Sequence, residues 1–61
     1  MNNEQYRQKV KRFLQQAAKR KNISLGDLEI AIGVNLISQT VFAEEQDLYD
    51  ACKEFVLDHT V

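Results

Sequence analysis

With 61 residues, one cysteine and a formal net charge of −1, the chain has room for one domain around one small core. Chains of this size bury only about 60% of the surface that the unfolded state exposes, and no disulfide framework or CxxC or HxxxH spacing reinforces this one; Cys52 and His59 stand as an isolated ligand-type pair. No stretch approaches the roughly 18 continuous apolar residues of a membrane span. The opening M-N-N-E-Q-Y-R also lacks the apolar segment of a signal peptide, so the expectation is a cytoplasmic protein with no membrane partner.

Proline is absent, and Gly26 and Gly33 are the only glycines, so nothing divides residues 1–61 into more than one domain. The first helical pattern runs from about Asn3 to Lys21. Tyr6, Val10, Phe13, Leu14, Ala17 and Ala18 fall on one face at the i, i+4, i+7, i+8 spacing of an amphipathic helix. Asn2 or Asn3 is placed to cap its start. Glu4 lies near the positive end of the helix dipole, and Lys19, Arg20 and Lys21 lie at the negative end, where cations are favoured.

Charge is strongly segregated along the chain. Before Ser24, the bases Arg7, Lys9, Lys11, Arg12, Lys19, Arg20 and Lys21 face a single acid, Glu4. From Ser24 onward Asp27, Glu29, Glu44, Glu45, Asp47, Asp50, Glu54 and Asp58 face only Lys53. Such a division suits a basic helix lying across an acidic one, within a monomer or between subunits, or a nucleic-acid-binding arm.

The stretch Ile23–Asn35 carries several punctuation signals. Ser24 is spaced as an N-cap with Asp27 as its reciprocal partner, and Ile23 and Leu28 are spaced as a hydrophobic staple. A second helix is expected over about Leu25–Ile32, with Leu25, Leu28 and Ile32 on its buried side and Ile30 pointing elsewhere. Gly33 can end it in the left-handed conformation, and Asn35 can cap the next helix. The third pattern runs from Asn35 to about Asp58. Val41, Leu48, Cys52 and Phe55 form one line, with Phe42, Tyr49 and Val56 beside it. This run either continues unbroken or divides near Ser38–Val41, where Ser, Thr and Val lower helix propensity. The expected fold is all-α, a compact bundle of three or four helices with a helix-turn-helix-like centre.

Ile30, Leu36, Ile37 and Val41 have no evident place in so small a core, and an exposed cluster of this kind marks an interface. They are the candidate protein-contact residues, either with a second copy or with a protein partner. Catalysis has no visible machinery: a nucleophile needs a base within hydrogen-bond reach, and Cys52 and His59 lie about 10 Å apart along one helical pattern. No phosphate-cradling glycine loop is present. No metal, cofactor or small-molecule substrate is therefore expected.

From Lys19 onward, K-R-K-N-I-S-L-G-D-L-E-I-A-I-G-V-N resembles the opening of phage-repressor-like DNA-binding domains, with Ser24, Leu28, Ile32, Gly33, Val34 and Asn35 as the matching positions. The resemblance implies DNA as a partner, with Lys19, Arg20 and Lys21 on phosphates and Asn35, Ser38, Gln39 and Thr40 on base edges. Duplex affinity, however, comes largely from Lys and Arg neutralising phosphates, and no base occurs between Ile23 and Cys52. Leu36, Ile37 and Val41 would also be stranded in a wet groove. The expectation is a small non-enzymatic regulatory or adaptor module acting through protein–protein contact as a homodimer; a degenerate helix-turn-helix transcription regulator is the alternative. A row of carboxylates, Glu44, Asp47, Asp50, Glu54 and Asp58, offers a third reading as a mimic of DNA phosphates, against the simpler one of a solvated face.

Overall fold

A computed structural model describes residues 3–58 as three α-helices, α1 (Asn3–Arg20), α2 (Asp27–Ile37) and α3 (Glu45–Asp58). Among the described residues there is no strand, and each helix packs on the other two. The expected caps at Asn2 and the pairing partner His59 lie outside the described residues.

α1 forms where its apolar periodicity and terminal charges place it. It buries Val10, Leu14, Ala17 and Ala18, with Tyr6 and Phe13 packed at the edge. Just past its end Asn22 has a φ of 58°, in the left-handed region that Asn tolerates better than most residues. The Asn22 N–H donates to the Lys19 carbonyl (3.1 Å) and the Ile23 N–H to the Ala18 carbonyl (2.9 Å). This is the paired closure of a Schellman motif, with an asparagine where glycine is usual.

Ile23 to Gly26 is not helical. Ile23 and Leu25 pack against the core while Ser24 and Gly26 are exposed, the alternation of an extended segment. Beginning a helix at Ser24 would turn one of those two apolar side chains outward. The cap therefore falls on Gly26, and Ser24 is not the N-cap. Glu29 accepts a hydrogen bond from the Gly26 N–H (3.0 Å), which is half of a capping box, since glycine has no side chain to return the bond.

α2 does not stop at Gly33. It passes through it to Ile37, and Gly33 is buried within the helix with no positive φ. A Cβ built there would lie 2.8 Å from Phe55 Cε1 and 2.9 Å from Leu14 Cδ1. Gly33 thus serves close packing of three helices rather than termination. Asn35 correspondingly lies inside α2 and caps nothing. After Ile37 the chain closes through Ser38 N–H to Val34 O (2.9 Å) and Thr40 N–H to Ile37 O (3.2 Å). The long third pattern is accordingly divided: its first residues belong to α2, and α3 begins only at Glu45.

α3 carries Glu45 and Asp47 in its first turn and buries Leu48, Cys52, Phe55 and Val56. The core consists of Val10, Leu14, Ala17, Ala18, Val34, Ile37, Leu48, Cys52, Phe55 and Val56. The segregated charges meet where α1 crosses α3: Lys9 Nζ lies 2.7 Å from Glu45 Oε2. That hydrogen-bonded ammonium holds the Glu45 carboxyl below its ordinary value. Further along the same seam Phe13 and Tyr49 meet edge to face at 6.2 Å, and Arg20 and Lys53 lie over the Tyr49 ring.

Candidate protein-binding face

α2 is apolar on both sides. Its inner side presents Ile30, Gly33, Val34 and Ile37 to α1 and α3. On its outer side Leu28, Ile32 and Leu36 repeat at four-residue spacing, a single ridge along the helix. Their side chains are 75%, 43% and 54% exposed. A helix that is apolar all round is ordinarily buried all round, and the bundle covers only one side of this one. From Ile30 to Ala43 the chain has no charged residue, so beyond Glu29 no charge adjoins the ridge or the exposed Val41 that follows it.

The contact residues read from the sequence divide. Leu36 and Val41 are exposed, Ile30 is half-buried against the core, and Ile37 lies within it. Ile37 cannot meet a partner while the fold is intact. Leu28 and Ile32, expected in the core, take its place at the surface. A signal for this was present in the regular spacing of Leu28, Ile32 and Leu36. A helix confined to Leu25–Ile32 leaves Leu36 outside it and hides that spacing.

One flank of the ridge is polar and ordered. The Arg7 guanidinium donates to Ser38 Oγ (3.3 Å) and to Asn35 Oδ1. Asp27, Arg7, Lys11 and Asn35 line one groove between α1 and α2. Beside it the Tyr6 hydroxyl donates to the Thr40 carbonyl (2.7 Å) and accepts from the Phe42 N–H (3.3 Å), which ties the 38–44 loop to α1.

Among the candidate DNA contacts, Asn35 and Ser38 are the two bonded to Arg7, Gln39 and Thr40 are exposed on the following turn, and Lys19, Arg20 and Lys21 are exposed at the end of α1. Glu44, Asp47, Asp50, Glu54 and Asp58 are exposed, with Asp50 accepting from Gln46 Nε2 (3.0 Å). Cys52 is buried, and that burial pushes its thiol up to about 11. A thiol so placed stays protonated and unreactive at neutral pH. Among the described residues no group of three or more His, Cys, Asp or Glu could hold a metal ion, and no helix is long and apolar enough to cross a membrane.

No protein-family model matches the chain, and neither curated proteins nor solved structures yield a match.

Proposed function

We propose that this protein is a small non-enzymatic regulatory or adaptor module that acts through protein–protein contact and works as a homodimer. The observation that carries the reading is the outer side of α2. Leu28, Ile32 and Leu36 are too exposed for a marginal core to spare, since full burial of each would be favourable by about 1.5–3 kcal/mol. Light scattering behind a sizing column tests the reading. The wild type should have the mass of a dimer at micromolar concentration, and Leu28→Asp should halve it without loss of helical signal. A wild type that is monomeric throughout that range overturns the reading.

A second reading, a degenerate helix-turn-helix regulator, draws support from Lys19 and Lys21, exposed together at the end of a basic α1. Titration with duplex DNA at low and physiological salt separates the two. The contact reading expects nothing tighter than non-specific binding, roughly 10⁻⁴ to 10⁻⁶ M at physiological salt. Nanomolar, sequence-selective binding would favour the second reading.

A further inference from the structure

We propose that the outer face of α2 pairs with the same face of a second copy, antiparallel, about a two-fold axis through Ile32. This deepens the contact reading above and rests on it. The first support is the ridge itself. Read from either end it is Leu, Ile, Leu at four-residue steps. A two-fold interface places one surface against itself, so that residue i meets j and j meets i. With Ile32 on the axis, Ile32 meets its counterpart, and Leu28 of each copy meets Leu36 of the other.

Charge supports the antiparallel sense over the parallel one. α2 carries Asp27 and Glu29 in its first turn and no base in its last. Parallel pairing would set both acidic first turns side by side and align the two helix dipoles. Antiparallel pairing separates the carboxylates and opposes the dipoles. It also keeps each flank of the ridge on its own side, because a two-fold axis normal to the helices reverses their direction without exchanging flanks. Asp27 and Arg7 both line the groove between α1 and α2, turned away from the ridge, so the pairing encloses neither charge. The apolar ridge itself carries no ionised group, so the centre of the interface desolvates no charge.

Cross-linking through one introduced cysteine, with Cys52 buried in every variant, tests the geometry. A disulfide needs Cα atoms within about 7 Å, which Ile32→Cys meets only on the axis. Two copies of Leu28→Cys would be about 12 Å apart along the helices, from eight residues of helical rise. Under a mild oxidant, Ile32→Cys should convert to covalent dimer, and Leu28→Cys and Leu36→Cys should each stay uncrosslinked alone. An equimolar mixture of the last two should give the mixed dimer. The wild type, with buried Cys52 alone, serves as the control and should give none. Self-linking of Leu28→Cys, or no cross-link from any variant of a protein that light scattering finds dimeric, overturns this pairing and leaves the contact reading standing. A monomeric wild type overturns both.

Discussion

Ile30, Val34 and Ile37 on one side of α2 and Leu28, Ile32 and Leu36 on the other are drawn from the same few residue types. One set is packed into the bundle or against it, and the other stands in solvent. Intrinsic preference cannot explain the difference, because neither set is more apolar than the other. What distinguishes the inner side is Gly33, the one position where α2 lacks a side chain. Through it Phe55 and Leu14 approach the backbone closely enough that a Cβ would sit under 3.0 Å from both. α2 docks by the side that permits the closest approach, and the other side is left in solvent.

The strongest test of that contrast places the same charge on each side. Ile37→Asp should unfold the domain, because it buries an unpaired carboxylate in place of a core side chain. A loss above about 4 kcal/mol is expected from such a change, comparable with the whole stability of a small domain. Ile32→Asp should leave the isolated fold close to its original stability and remove self-association. Chemical denaturation followed by circular dichroism, repeated over a range of protein concentrations, distinguishes the two. A folded Ile37→Asp variant would show that the inner and outer sides are wrongly assigned.

Gly33→Ala sharpens the explanation. Alanine favours a helix interior over glycine by about 1 kcal/mol, but overpacking against Phe55 and Leu14 should cost about 1–3 kcal/mol. The expected net is a loss of up to about 2 kcal/mol in a thermal or urea melt. A raised melting temperature would mean that the three helices separate easily at this point and that Gly33 does not choose the docked side.

Cys52 reports on the core against which the inner side packs. Burial raises its thiol to about 11, whereas an unfolded cysteine titrates near 8.5. Because the folded value is the higher one, the contribution from the neutral buried thiol is fully present below about pH 8.5. It is lost as pH rises from there through about 11. Alkylation at pH 8 should accordingly be slow in the native protein and fast in denaturant. Equal rates would place Cys52 outside a tight core.

The smallest effects concern where α2 begins. Ser24→Ala should change stability by less than about 0.5 kcal/mol, since Ser24 lies exposed in the extended segment. Glu29→Ala should cost about 0.5–1 kcal/mol through loss of the bond to the Gly26 N–H. A larger loss at Ser24 than at Glu29 in parallel melts would move the helix start back to Ser24 and rotate the ridge with it.

Much of the architecture was legible from the residues alone. The all-α class, the extent of α1, its buried line through Val10 and Leu14, and the Leu48, Cys52 and Phe55 line of α3 follow from local properties. In both helices apolar spacing is sharply set against charge, so a single face can be buried. The charge division also anticipated α1 lying across α3, where Lys9 meets Glu45. α2 offered no such asymmetry. Its capping signals competed, with Ser24 and Asp27 against Gly26 and Glu29, and its two sides were equally apolar. Its start, its passage through Gly33, the burial of Ile37 and the exposure of Leu28 and Ile32 were decided by tertiary packing. Local preference does not choose between two sides of like residue types, whereas the close approach of Phe55 and Leu14 to the bare backbone at Gly33 is possible on one side alone.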